Sequence, residues 1–298
     1  MAMMNRGLVS WSLGIGSVLL PAIHTQAEQF TPTRYTVTLE GTTGKPDVVL
    51  IPGLSSSREV WAEEVKKLSP NYRLHLLQLN GFAGQPAGPN AKGDILPGVV
   101  EELHRYIKTL EIKPVVVGHS LGGLLSLMLS EKHPNDVQKM VIVDALPFYG
   151  VTIDPKMTVE SIKPRAQQMR AFFATQTPAM REAGAAQVAQ MLVTDPAGRK
   201  LAAQNVKDSD PAVFAEAMYE DLTTDMRPAI ASIHTPTVVL FADEEQPKGQ
   251  EPTVAQRLYD DAYKLMPNVK VQRIENSKHF IQLDQPEKLH AAIEAFLK

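Results

Sequence analysis

Gly118-His119-Ser120-Leu121-Gly122 stands between a β-branched run, Val115 to Val117, and an amphipathic helical stretch, Leu121 to His133. A serine in the pattern G-x-S-x-G gains chemical meaning when a strand turns sharply into a helix, because that turn lifts the hydroxyl clear of the sheet. The flanking glycines remove Cβ atoms that would collide as the chain reverses. The helix that follows points backbone N–H groups, and the positive end of its dipole, at the reacting centre. Ser120 is therefore the candidate nucleophile.

A serine nucleophile needs a base, and eight histidines are available. His24 lies in an N-terminal leader, His75 inside a strand-like run, His104 and His290 on helices, and His133 at the end of the helix after Ser120. His119 is the serine's neighbour, and adjacent residues on a tight turn cannot aim side chains at each other. His234 lies at a junction between a helical segment and a strand. His279 differs, because it follows the run Val269 to Ile274 and the polar loop Glu275-Asn276-Ser277-Lys278. In a parallel sheet that loop lies at the carboxyl ends of the strands, where the serine turn also emerges. Nucleophile first and histidine last is a chain order known for such pairs.

The third member would be an acid that accepts Nδ1–H of the histidine and fixes its tautomer. After the strand Val238 to Phe241 the chain reads Ala242-Asp243-Glu244-Glu245-Gln246-Pro247. Glu245, three residues past the strand's small terminal residue, is the first choice. Asp243 is second, Glu244 third, and Asp144, at the end of the preceding strand, fourth.

Those residues must be held by a sheet. Past the leader, short apolar strands alternate with amphipathic helices, which predicts a mostly parallel, doubly wound α/β sheet covered on both faces. Strands are expected at Tyr35 to Leu39, Val48 to Ile51, Leu74 to Leu79, Val115 to Val117, Met140 to Val143, Thr237 to Phe241 and Val269 to Ile274. Helices are expected at Trp61 to Leu68, Pro97 to Leu110, the stretch after Ser120, and Pro286 to Phe296. From Pro147 to Pro228 no strand-like run occurs, only helical segments broken by Pro155, Pro164, Pro178, Pro196 and Pro211. This divides the chain into a leader (1–27), a first core part (28–146), a helical insertion (147–228) and a second core part (229–298).

The elbow at Ser120, the loop Pro52-Gly53-Leu54-Ser55 after Val48 to Ile51, and the stretch His279-Phe280 to Asp284-Gln285-Pro286 together resemble the α/β-hydrolase fold family. The resemblance covers nearly the whole chain past the leader. It implies that the helical insertion is a lid over the active site. It also implies an oxyanion hole made by the backbone N–H of Leu121 and, because Gly53 keeps its place while Pro52 stands where the family usually has histidine, of Leu54. Asn80-Gly81-Phe82-Ala83-Gly84 occupies the place of a second family loop. Gly53 and Gly84 also have plain turn readings.

The insertion holds Met157, Met169, Met180, Met191, Met218 and Met226, with Phe148, Phe172, Phe173 and Phe214. Such adaptable side chains suit a small-molecule substrate with an apolar acyl or alkyl group, and equally suit the buried faces of lid helices. Arg165, Arg170, Arg181 and Arg199 read as solvated.

Composition narrows the field. A formal charge of −3 and the absence of any Lys/Arg run longer than two give no footprint for nucleic acid. There is no cysteine, which removes disulfides and thiolate chemistry. No metal-ligand spacing or cofactor motif is present, so none is implied. Arg6, the apolar stretch Gly7 to Leu20, Pro21 and Thr25-Gln26-Ala27 read as a secretory signal cleaved after Ala27, placing the protein in the periplasm or medium. The apolar stretch is short for a membrane span, and an uncleaved anchor is the alternative.

The expectation is a serine hydrolase that cleaves small or medium carboxylic esters through an acyl-enzyme, with Ser120, His279 and Glu245 as triad and no cofactor. The rivals are other reactions on the same scaffold (amide, peptide, carbon–carbon or lactone hydrolysis, perhydrolase activity) and a non-catalytic binding protein.

Overall fold

Aliphatic and β-branched runs bury best as neighbouring strands, and the way these seven pair decides where a site can form. A computed structural model describes residues 30–244 and 252–298. In chain order it contains β1 (Tyr35–Gly41), β2 (Asp47–Ile51), α1 (Ala62–Leu68), β3 (Arg73–Leu79), α2 (Leu96–Ile107), β4 (Val115–His119), α3 (Leu121–Lys132) and β5 (Lys139–Val143). An insertion of four helices follows: α4 (Val159–Ala174), α5 (Pro178–Leu192), α6 (Pro196–Asp208) and α7 (Pro211–Thr223). The core resumes with β6 (Thr237–Asp243), α8 (Val254–Tyr263), β7 (Val269–Glu275), α9 (Ile281–Asp284) and α10 (Pro286–Leu297). The leader expected at 1–27 and the residue Glu245 lie outside the described residues.

The strands form one sheet in the order β1-β3-β2-β4-β5-β6-β7. Only β1 runs antiparallel to its neighbour; the other pairings are parallel, so β2 to β7 all end on the same edge. The expected fold class is the one observed. β2 and β4 are buried along their whole length, as central strands covered on both faces must be. The pleat divides their side chains. Val49, Ile51 and Val116 pack with α2 and α3, while Val48, Leu50 and Val117 pack with α1 and α10.

The insertion is built from local signals. Pro178, Pro196 and Pro211 do not break helices; they begin them, each behind a capping residue, Thr177, Asp195 or Asp210. Proline suits a first turn because its missing N–H has no intrahelical partner there. α4 packs on α7, and α5 on α6. Glu220 of α7 fastens this unit to the core, accepting hydrogen bonds from the N–H groups of Ile95 and Leu96 at 2.6 and 2.7 Å at the start of α2. No helix among the described residues is long and apolar enough to cross a membrane.

Candidate active site

The elbow forms as the spacing predicts. Ser120 has φ 53° and ψ −120°, a conformation that costs a non-glycine residue energy and is held by its surroundings. Its N–H donates to Val143 O at 2.9 Å, and α3 begins at the next residue. A Cβ on Gly118 would lie 2.2 Å from Gly122 O, and one on Gly122 would lie 2.3 Å from Ile51 O. Only glycine fits at either place. α3 is buried on nearly all sides, nine of its twelve residues being inaccessible, so the elbow rests on the core rather than on a loop.

His279 sits past β7, on the same sheet edge. Its Nδ1 donates to Asp144 Oδ2 at 2.7 Å. The other oxygen of Asp144 accepts from Ala242 N at 2.8 Å and from the Tyr259 hydroxyl at 3.0 Å. Asp144 follows β5 directly, with φ 46°, and this left-handed kink turns its side chain off the strand line. The carboxylate at the imidazole is thus the one ranked fourth from sequence. Glu245, ranked first, is outside the described residues. Asp243 is buried at the end of β6 and faces Arg273, its Oδ2 3.6 Å from the guanidinium, while Glu244 is exposed. Neither bonds to His279.

Ser120, Asp144 and His279 line one cavity of about 670 Å³. Gly53 and Leu54 line it too, and a Cβ on Gly53 would come within 3.0 Å of both Ser120 Cβ and His119 Nδ1. The loop after β2 therefore approaches the elbow as closely as a glycine allows. Among the described residues, neither the Leu54 N–H nor the Leu121 N–H has a protein acceptor. Two backbone donors left open near a nucleophile are what a developing oxyanion requires.

His119 contributes from below. It is fully buried, and its Nε2 donates to the carbonyl oxygen of His279 at 3.0 Å. Burial and then the charge of His279 press its pKa well below the usual histidine range, so it stays neutral.

The insertion forms the rest of the wall. Met169, Phe173, Phe214 and Met218 face the cavity, whereas Phe148 and Met226 are core and Phe172 and Met180 are exposed. Arg181, read from sequence as solvated, lines the cavity and donates to Gln176 O at 3.0 Å. Arg170 pairs with Glu216, Arg199 donates to Val193 O, and Arg165 is exposed. The sequence reading missed Asp221 of α7 altogether. Burial pushes its carboxyl up to about 7, while nearby His279 pulls it down. An acid on an amphipathic helix carries no sequence signal that separates it from a solvated one.

Asp284 ties the insertion to the histidine loop. One of its oxygens accepts from Thr194 and Asp195 N–H at 2.8 and 2.9 Å, and the other from Lys278 N–H at 2.9 Å. Phe280 N–H also donates to Leu192 O at 3.2 Å. The Asn80–Gly84 loop holds the insertion elsewhere: Gly81 O accepts from Asp210 N–H at 2.8 Å, and Ala83 N–H donates to Ser209 Oγ at 2.9 Å.

Away from the cavity, His104, His133 and Asp136 bring potential metal ligands within 4.8 Å of one another. The two imidazoles are stacked, 3.8 Å between centroids and 9° from parallel. A metal ion lies in the plane of each ring it binds, and two stacked parallel rings share no such point. Their nitrogens instead meet carboxylates, His104 with Asp136 at 2.6 Å and His133 with Glu101 at 3.1 Å.

The pimeloyl-[acyl-carrier protein] methyl ester esterase of Nitrosospira multiformis is 24% identical over 262 residues, covering 85% of this chain and 95% of the relative. The (E)-2-((N-methylformamido)methylene)succinate hydrolase of Acinetobacter baylyi is 25% identical over 86% of this chain and 91% of its own. Among solved structures, the enol-lactonase of Burkholderia xenovorans superposes with a TM-score of 0.70 at 18% identity, over 88% of this chain and 96% of that one. A thermophilic esterase of Thermogutta terrifontis gives 0.69 at 18% identity, over 88% and 92%. The sequence profile described as "Alpha/beta hydrolase family" matches residues 48–292, which takes in the whole sheet from β2 onward, the elbow, the insertion and the histidine loop. With profile, sheet order and elbow in agreement, the chain belongs to the alpha/beta hydrolase family.

Proposed function

We propose that this hydrolase cleaves small or medium carboxylic esters through an acyl-enzyme on Ser120. The observation that carries the reading is the Asp144–His279 hydrogen bond in the lining of the cavity that Ser120 also lines. With Nδ1 engaged by Asp144, Nε2 is the nitrogen free to serve the serine. Nε2 takes the Ser120 proton as Oγ attacks the carbonyl carbon. The N–H groups of Leu54 and Leu121 hold the oxyanion, a contribution of about 3 kcal/mol per donor in comparable sites. Collapse of the tetrahedral intermediate breaks the ester bond, and His279 passes its proton to the leaving alcohol oxygen. Water then attacks the acyl-enzyme, giving its proton to Nε2. That proton returns to Ser120 Oγ as the acid departs.

The relatives named as esterases and the apolar cavity support an ester substrate, and the placement of α4 to α7 around the cavity supports their reading as a lid. A fluorophosphonate probe should label the protein, and Ser120→Ala should abolish labelling. Absence of labelling in folded protein points to a binding module instead. Against a panel of p-nitrophenyl esters and aminoacyl anilides, ester turnover is expected; an anilide-only profile replaces the esterase reading with amide hydrolysis. The leader pattern around Arg6, Gly7 to Leu20 and Ala27 supports export, with cell fractionation and the N-terminal sequence of the mature protein as its test.

A further inference from the structure

The roof of the cavity carries one acid with nothing to neutralise it. Asp221 projects from α7 into the space shared by Ser120 and His279. Among the described residues no hydrogen bond or ion pair engages its carboxyl, and His279 is the nearby group that pulls its pKa down. A carboxylate without a partner in an apolar wall is costly to keep, and groups kept in that condition mark sites of function. The surroundings are specific. Phe173 and Phe214 pack edge to face 5.2 Å apart, and Tyr149, whose hydroxyl is raised by burial and then by the charge of Asp221, lines the same cavity. An aromatic-lined cavity with one inward carboxylate is suited to a cationic nitrogen, which gains both the ion pair and the ring faces.

We propose that Asp221 is the specificity determinant of this cavity and selects esters whose alcohol part carries a cationic nitrogen. The inference rests on the serine mechanism proposed above. It is the alcohol part because Asp221 lines the same cavity as His279, the residue that protonates the leaving oxygen. The remaining titratable groups of the cavity do not take this role. Asp144 is committed to His279, Ala242 and Tyr259, and Arg181, which donates one guanidinium N–H to Gln176 O, forms no ion pair with Asp221. On α4, Arg170 is engaged by Glu216 and lies over the Tyr219 ring.

Two esters of one shape separate charge from size: butyrylcholine and 3,3-dimethylbutyl butyrate. At pH 8.5, where Asp221 is ionised, the enzyme should prefer the choline ester in kcat/KM by about tenfold or more. The preference should shrink at pH 6, where the carboxyl carries its proton, and the ratio should collapse toward one in Asp221→Asn. The wild-type pH comparison needs no variant, so a folding defect in Asp221→Asn does not spoil the test. Equal rates for the two esters in the wild type, or a preference that survives Asp221→Asn, overturns the assignment. Turnover of the neutral ester keeps the serine mechanism standing whichever way the preference falls. No turnover of either ester, with no fluorophosphonate labelling, overturns mechanism and assignment together.

Discussion

His119 Nε2 donates to the backbone carbonyl of His279, 3.0 Å away, so the residue before Ser120 holds the loop that carries the His279 imidazole. The donor direction fixes the tautomer, since a carbonyl oxygen can only accept. The ring centroids of the two histidines lie 4.6 Å apart, and Phe280 and Trp61 pack on His119 from other sides. His119→Phe keeps the packing volume and removes the donor. It should lower kcat by about tenfold, the value of one lost hydrogen bond, while KM stays nearly constant. Steady-state kinetics on p-nitrophenyl butyrate checks this, and a change confined to KM would remove His119 from the positioning of His279.

Asp144→Asn should lower kcat by about 10⁴-fold, because the amide leaves the imidazole in the wrong tautomer. Asp243→Asn should leave kcat within about threefold and act on stability instead, through the loss of the buried charge facing Arg273. Glu245→Gln is the informative control, since this residue ranked first on sequence alone. A collapse of kcat in Glu245→Gln and not in Asp144→Asn would return the acid role to Glu245.

Gly53→Ala places a Cβ 3.0 Å from Ser120 Cβ and from the His119 ring. Either the loop after β2 retreats or the serine shifts. Displacements of about 1 Å at a reacting atom cost on the order of 10²-fold in rate. The variant should therefore fold, retain its far-ultraviolet spectrum and lose about that much kcat. Normal activity would show that the Leu54 N–H is not part of the oxyanion hole.

Glu64, on α1, has a fully buried side chain whose carboxyl is pushed up to about 8, first by burial. Folded protein then binds one more proton than unfolded protein between the ordinary carboxylate range and pH 8. Stability from this residue is complete at low pH and falls as pH rises through the folded value. Glu64→Gln should match the wild type in Tm near pH 4 and exceed it near pH 9, by about 2 to 4 °C for each kcal/mol recovered. Calorimetry at the two pH values checks the sign.

The seven strands were legible because each is a short aliphatic run between turn signals, and Ser120 because two glycines bracket it in that context. His279 followed from its position after the last strand. The acid was not legible. Three consecutive carboxylates, Asp243 to Glu245, outweigh a single aspartate after β5. What selects Asp144 is a positive φ and two donors, Ala242 N–H and the Tyr259 hydroxyl, the second 115 residues away. The helix α8, which supplies that tyrosine, is not among the helices expected from the sequence. Asp221 was hidden for a related reason: helical periodicity says which face an acid occupies, not what that face meets.

The three hydrogen bonds that Asp284 accepts make the cover of the cavity and the delivery of the base a single mechanical unit. Exchanging residues 147–228 for the corresponding segment of a relative would therefore alter more than substrate choice. A chimera whose incoming segment does not bring two backbone N–H groups to the Asp284 carboxylate, as Thr194 and Asp195 do, releases the loop bearing His279, and would bind ligands it cannot turn over. Swapping specificity in this protein means transplanting the clasp along with the roof.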